Sequence, residues 1–422
     1  MKYFSSILSS NLGNLLEWYD FGLFTIFSPL FSRLFFPSQD PHVALLATFS
    51  IFSIGFLCRP IGALLFGYLG DHIGRAKTLR FSILMISLPT FAIGCLPTYQ
   101  SIGIFAPLFL TLIRMWQGIS IGGEYSTNLV YLAETASPKN RGIFTSLASM
   151  SANIGIFLAL LVGMITSMLF TEPLLQTWGF RIPYLLSGLF CLILYHFRLR
   201  MKESLTFDYL KQNNYLIKNP IKLVFKKNFP QLLRTLGLVT MGSTFYYFCF
   251  IYIPTYLSQH AQLSIRSVST LMSIFIGLMI ILVPLAGFVS DRVGRKRMLL
   301  FNATLITFFT IPGFYFLQFH NMMIIISVLL IFTIFSSLEQ GATPASIIEN
   351  FPLPARCTGV SLGYNLGNGF LGGTVPMVAE WLITHTHMVL APAIYIAFCA
   401  SITLLVVFFF VPTVAHKYLN IV

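Results

Sequence analysis

Four polar residues recur at every third position of NLGNLLEWYDFGLF, an otherwise apolar stretch: Asn11, Asn14, Glu17 and Asp20. On a helix that spacing drifts slowly round one face. Two carboxylates one turn apart in a low dielectric oppose each other's ionisation, which suits one of them to hold a proton at neutral pH. A second stretch, RMWQGISIGGEYSTN, carries Arg114, Gln117, Glu124 and Asn128. At the helical repeat these four fall within an arc of about 80°, a polar stripe on one face. Arg114 and Glu124 stand about 15 Å apart along the axis, too far to neutralise each other. Each needs a partner from another segment, and the Glu17/Asp20 stretch offers opposite charge to Arg114. Such groups suit binding a small polar solute and moving a proton. No nucleophile–base pair, metal-ligand spacing or phosphate loop accompanies them, so no enzyme, metal site or cofactor is expected.

The elements that must carry these groups lie in lipid. Of 422 residues, 56% are hydrophobic and 9% charged, against about a quarter charged in a soluble domain. A chain this apolar cannot cover itself in water, and reads as an all-α polytopic membrane protein. Six cysteines (Cys58, Cys95, Cys191, Cys249, Cys357, Cys399) fall in or beside apolar runs with no paired spacing, as small hydrophobes do. Met1 to Asn11 is too short and polar for a cleaved signal, so the first span is expected to be retained.

With about 20 apolar residues needed per crossing, the sequence predicts twelve transmembrane helices at roughly 12–36, 43–69, 79–97, 102–134, 142–170, 181–199, 230–257, 267–290, 298–318, 322–350, 357–384 and 390–412. Of the 26 Lys and Arg, all fall on one side except Arg33, Arg181, Arg266 and the mid-span Arg59 and Arg114. By the positive-inside rule, that side, both termini included, is cytoplasmic. Lys2 and Lys417 contribute at the two ends. The alternation also accounts for the net charge of +13, and no basic stripe interleaved with aromatics suggests nucleic acid.

GYLGDHIGRAK (Gly67 to Lys77) recurs as GFVSDRVGRKR from Gly287, matching Asp71 to Asp291, Gly74 to Gly294 and Arg75 to Arg295. A second register matches Glu134 and Arg141 to Glu349 and Arg356. Duplication of half the chain means two homologous bundles, with a site near the midplane between them. The expected units are an N-terminal six-helix bundle (1–199), a cytoplasmic linker (200–229) and a C-terminal six-helix bundle (230–422). In the linker, Lys218 to Lys227 could lie on anionic lipid as an amphipathic helix, or serve as a solvated connector. Both motif loops lie on the cytoplasmic side, where Asp71 is placed to cap a helix or pair with arginine on closure. His72 beside it suggests a weaker or pH-sensitive first clamp.

A charge at bilayer depth costs about 2.5–3.5 kcal/mol, so it faces a cavity or a partner. Arg59 is expected in a structural ion pair with a carboxylate of its own half. In the second half Glu339, Asn365 and Asn368 supply polarity, and Glu339 could face the cavity. Tyr246, Tyr247, Tyr252 and Tyr256, with Trp18, Tyr19 and Trp116, could cage a quaternary ammonium group.

The paired Gly-x-x-x-Asp-x-x-Gly-Arg-x-Lys/Arg loops and twelve spans resemble the major facilitator superfamily. GNLLEWYDFGLF, RPIGALLFGYLGDHIGR and RMWQGISIGGEYSTNLVYLAE are similar to its metabolite:proton symporter family, which includes proline/betaine, α-ketoglutarate, citrate and shikimate transporters. The likeness is dense over 11–142 and weaker beyond. It implies a major facilitator fold and a bacterial inner-membrane importer, a monomer driven by the proton gradient through alternating access. Glu17, Asp20, Arg59, Arg114, Gln117, Glu124, Asp71, Gly74 and Arg75 match its motifs. Two departures stand out: His72 replaces the usual loop Arg or Lys, and Val422 ends the chain without the charged tail of osmosensing relatives, so tail-based osmosensing is not expected.

The resulting expectation is a substrate site of Arg114, Gln117, Glu17, Asn14, Tyr246 and Tyr247, with Arg114 on a substrate carboxylate. Proton coupling is assigned to Asp20, Glu17, Glu124 and Glu339. The switch is Asp71, Gly74, Arg75, Asp291, Arg295, Glu134, Arg141, Glu349 and Arg356. An amino acid or betaine fits a site with both signs of charge plus aromatics; di- or tricarboxylates are the alternative, then sugars or other acids. A drug/proton antiporter is disfavoured by the polar stripe.

Overall fold

The computed structural model describes residues 4–36, 41–259, 263–319 and 321–412; Lys2 and Lys417 lie outside them. Backbone polar groups cannot be left unpaired in lipid, which restricts an open chain to helices. The described residues are helical with no strand. Twelve long helices form: α1 (Phe4–Phe35), α2 (Pro41–His72), α3 (Arg75–Cys95), α4 (Phe105–Thr135), α5 (Arg141–Leu169) and α6 (Arg181–Arg198) make the first bundle. The second has α7 (Phe229–Tyr247, running through a π-helical turn Phe248–Tyr252 into Ile253–Gln259), α8 (Ile265–Val293), α9 (Arg295–Leu317) and α10 (Met322–Glu349). It closes with α11 (Arg356–Leu366, through a π turn Gly367–Gly372 into Val375–Thr386) and α12 (Ala391–Phe410).

The duplication is visible in the packing. In the first bundle α1 packs on α5, α2 on α4 and α3 on α6. The same pairs recur six helices later, as α7 on α11, α8 on α10 and α9 on α12. Across the interface α2 meets α11 and α5 meets α8, again a symmetric exchange. Gly74 and Gly294 take the same positive φ, 113° and 98°, at equivalent breaks. That backbone conformation favours glycine, so both motif copies reverse the chain alike.

Nine of the twelve are long and apolar enough alone to cross a membrane, among the described residues. The other three are α1, α4 and α11, which carry the Glu17/Asp20 series, the Arg114/Glu124 stripe and Asn365/Asn368. Polarity there is affordable because these side chains are buried inside the protein. Apolar rings such as Phe308, 68% exposed, face outward instead.

Close approach of α2 and α4 sets the first bundle's geometry. A Cβ on Gly62 would collide with Ile119 O, one on Gly118 with Gly55 O, and one on Gly122 with Arg59 O. Small residues are how membrane helices reach this contact. Gly118→Val is therefore expected to lower the melting temperature of the purified protein, since overpacking costs about 1–3 kcal/mol. An unchanged melting curve would contradict this packing.

The linker forms two short helices, Leu205–Gln212 and Pro220–Lys227, that turn Phe207, Leu210 and Val224 onto the protein while Leu205 and Phe225 stay exposed. The second packs against α2, α11 and the turn Leu353–Ala355, so it is not a free solvated connector.

Candidate substrate and proton site

Within the first bundle the polar stripe divides into two separate networks. Near the far end, Asp20 Oδ2 accepts from Gln117 Nε2 at 2.7 Å and faces Arg114 Nη1 at 3.4 Å. Gln117 also donates to Thr90 at 3.0 Å, and Arg114 donates to Gln117 Oε1 at 2.7 Å. The guanidinium lies 3.6 Å from the Phe24 ring centroid. Arg114 thus points into its own bundle, where only Nη1 is hydrogen-bonded and Nε and Nη2 have no partner, and it does not border the chamber between the halves.

Ten residues along α4, Glu124 meets Arg198, with Arg198 Nη1 donating to Oε2 at 2.9 Å and Nη2 close upon Oε1. Ser82 donates to the same carboxylate. Arg198 further donates to Leu79 O, Ser9 O and Ser10 O. The expected proton carrier Glu124 is therefore bound up in a buried ion pair tying α4 to α6. Sequence reading missed Arg198 because it ends α6 and looks like one more loop cation. Asn14, expected at the substrate, instead donates to Ala148 O and Ser151 Oγ at 2.7 Å each, fixing α1 to α5.

Glu17 differs from both. It is buried, 1% exposed, and neither carboxylate oxygen has a hydrogen-bond partner.

Arg59 corrects an expectation. Its Nε donates to Asn365 Oδ1 of the opposite half at 3.1 Å, and among the described residues no carboxylate of its own half forms an ion pair with it. The reason is placement: Arg59 lies on the α2 surface that meets α11. Its Nη2 has no partner. The guanidinium is 5.4 Å from the Phe56 ring, which packs edge-on to Tyr247.

Between the halves lies a chamber of about 70 Å³. Trp18 and Tyr125 line it from the first half, and Tyr246, Tyr247, Tyr364 and Glu339 from the second. Tyr125 and Tyr364 stack across the interface at 4.7 Å. Asn153 donates to Gln340 Oε1 at 2.9 Å, another cross-half bond on its wall. A second cavity of about 170 Å³ shares Trp18, Tyr246 and Tyr247 and extends past Pro254 and Val268, away from the motif loops. Glu339 is the one charged residue on either cavity's lining among the described residues. A Cβ on Gly242 would occupy the space of its carboxylate. Of the expected aromatic cage, Trp18, Tyr246 and Tyr247 border the cavities; Tyr252 and Tyr256 pack on Phe314, Tyr19 joins a first-half core and Trp116 is 43% exposed.

At the motif face the halves are shut. Asp71 accepts from Cys357 N at 3.0 Å and Thr358 N at 2.9 Å, at the start of α11. Asp291 accepts from Gly142 N at 2.8 Å and Ile143 N at 2.9 Å, at the start of α5. Free N–H groups and the helix dipole favour a carboxylate there. Arg75 binds Glu134 at 3.0 Å, and Arg356 reaches the same carboxylate at 3.5 Å from the other half. Arg295 pairs with Asp291 at 2.6 Å and lies 3.7 Å from Glu349. Arg141 donates to Ala133 O at 3.4 Å. The first clamp is the better covered: Ser204 of the linker donates to Glu134 at 2.6 Å, and Arg75 lies 5.2 Å from the Phe207 ring. His72 takes no part, since it is exposed and stacks on Tyr68 at 5.3 Å.

Asp71→Asn replaces one acceptor by a donor facing N–H groups. Hydrogen bonds to a charged group contribute about 1.5–3 kcal/mol, so the open form should gain about ten- to a hundredfold. Cys357, buried in the closed form, should then react with N-ethylmaleimide faster by that factor. A wild-type labelling rate would contradict the clamp.

The model of the Major Facilitator Superfamily matches residues 10–376. The chain belongs to that superfamily. The proline/betaine transporter of Salmonella typhimurium is 31% identical over 414 residues, covering 96% of this chain and 82% of the relative. The glycine betaine/proline/ectoine/pipecolic acid transporter OusA of Dickeya dadantii is 32% identical, covering 95% and 81%. Among solved structures, the proton:xylose symporter XylE bound to 6-bromo-6-deoxy-D-glucose superposes with a TM-score of 0.80 at 17% identity, covering 97% of this chain and 96% of that one. The major facilitator fold, twelve helices in two pseudo-symmetric bundles, is thereby established. This protein is a membrane transporter of small solutes and not an enzyme.

Proposed function

We propose that this transporter imports a small zwitterion of the proline or betaine type together with a proton, by alternating access across a bacterial inner membrane. The observation that carries the substrate class is the chamber's charge: Glu339 alone among aromatic rings, with the unpartnered Nη2 of Arg59 just beyond Tyr247. Aromatic faces and a carboxylate attract an alkylated ammonium, and the open Nη2 of a guanidinium suits the substrate's carboxylate. Neither Arg59 nor Arg114 lines the chamber, but Arg59 reaches its wall through Phe56 and Tyr247 and so takes the role first expected of Arg114. The names of the 31–32% identical relatives agree with this class. A di- or tricarboxylate would bring two or more negative charges to Glu339 against the single guanidinium of Arg59.

The motif face is read as cytoplasmic, following the basic loops. The closed clamps and the cavity extending the other way then correspond to a form that receives substrate from outside. Asp71, Asp291 and their arginine partners act as the switch, and the proton gradient is the driving force. The protein works as a monomer. In proteoliposomes, radiolabelled glycine betaine is expected to accumulate under an inward pH gradient and to leak out when a protonophore is added. Uptake indifferent to the protonophore would remove proton symport, and uptake of succinate instead of betaine would remove the zwitterion.

A further inference from the structure

Two unsatisfied groups face the same problem from opposite signs. Glu17 on α1 is buried with both carboxylate oxygens unpartnered, and Arg59 on α2 is buried with Nη2 unpartnered. Glu17 and Arg59 flank one helix contact: Phe21, a turn after Glu17 on α1, packs edge-on to Phe56, a turn before Arg59 on α2, at 4.9 Å, and Glu124, Arg198 and Asp20 are further charged groups of these neighbouring helices. Arg198 is committed to Glu124 and Asp20 to Gln117 and Arg114. Arg59 is the cation in reach whose present partner, Asn365, belongs to the other half.

The geometry points to a partner exchange: Arg59 bonds Asn365 while the motif face is shut and Glu17 is protonated, and pairs with the Glu17 carboxylate when that face opens. Opening carries Asn365 away with the second half, leaving Arg59 buried without its cross-half bond. A buried cation must then find an anion or pay heavy desolvation. Glu17 gives up its proton to water on the motif side as its carboxylate receives the guanidinium, and one proton crosses per cycle. On return, Glu17 is reprotonated from the far side and Arg59 is freed for Asn365. Resting on the zwitterion reading, the exchange also supplies coupling. The carboxylates of Glu17 and substrate compete for one guanidinium, so substrate holds Arg59 only when Glu17 is protonated.

The test needs no substrate. Spin labels at Lys139→Cys and Arg297→Cys, both exposed on the motif face, report its opening by pulsed dipolar spectroscopy in nanodiscs. One proton released on opening makes the open-to-closed ratio rise by at most about tenfold per pH unit. Glu17→Gln, of nearly equal shape, is expected to stay closed and lose the pH response. Asn365→Asp gives Arg59 an acidic partner in the second half and should also stay closed and pH-insensitive, with Glu17 untouched. If wild type responds to pH and either variant responds equally, the exchange is overturned while proton coupling stands. If wild type shows no pH response, proton symport falls with it.

Discussion

Glu124→Ala is expected to remove folded protein, because it leaves the Arg198 guanidinium buried without its carboxylate. The pair sits at 0% and 2% side-chain exposure, and no other acidic group forms an ion pair with Arg198 among the described residues. Breaking one side of a buried pair costs about 3–5 kcal/mol. That is a large share of the 5–15 kcal/mol by which a typical domain is stable. Removing both charges is different: an apolar pair of similar volume is often neutral or better. Glu124→Leu with Arg198→Met should therefore recover most of the lost melting temperature. If Glu124→Ala melts like wild type and instead uncouples transport from the pH gradient, Glu124 is a proton carrier and its bond to Arg198 is incidental.

The second large effect falls on substrate affinity. Glu339→Gln keeps the shape of the one charged group lining the chamber and removes its charge. A charge-assisted contact contributes about 1.5–3 kcal/mol, equivalent to about ten- to a hundredfold in Kd. Glycine betaine should weaken by that factor in Glu339→Gln, and by a similar factor in Arg59→Ala through the substrate carboxylate. Folding should be little affected by the first change, because Glu339 has no ion pair among the described residues. Gly242→Ala should mimic the loss, since its methyl group would displace the Glu339 carboxylate. Equal affinity in all three would place the substrate elsewhere.

The fold was legible because lipid leaves so few options. Apolar run length gave twelve helices, and the Asp71/Asp291 and Glu134/Glu349 registers gave the duplication. Boundaries strayed where helices outrun the bilayer: α1 begins at Phe4 and not at 12, and α3 at Arg75 and not at 79, because continuing the helix satisfies the backbone at no cost in apolar length. Which residues form the site was harder to read. The stripe on α4 was visible as a pattern, but a pattern does not say that Arg114 turns to Asp20 inside its own bundle. Arg59 found Asn365, 306 residues away, through the crossing of α2 on α11. Arg198 was hidden by the rule that orients the chain, since a cation at a helix end reads as a loop charge. Tyr125 and Tyr364 carried no signal among so many aromatics until their stacking showed them facing across the halves. The π turns in α7 and α11 were likewise unreadable, and they flank the chamber between Tyr247 and Asn368.

The proposed substrate is a zwitterion held in the chamber between Glu339 and Arg59. Displacement of radiolabelled glycine betaine from the purified wild-type protein in nanodiscs tests it most directly. Proline, which carries both charges, should displace the label; choline, lacking the carboxylate, should do so about tenfold or more weakly; and succinate should fail. Displacement by succinate as effective as that by proline would rule out a zwitterion-selective chamber.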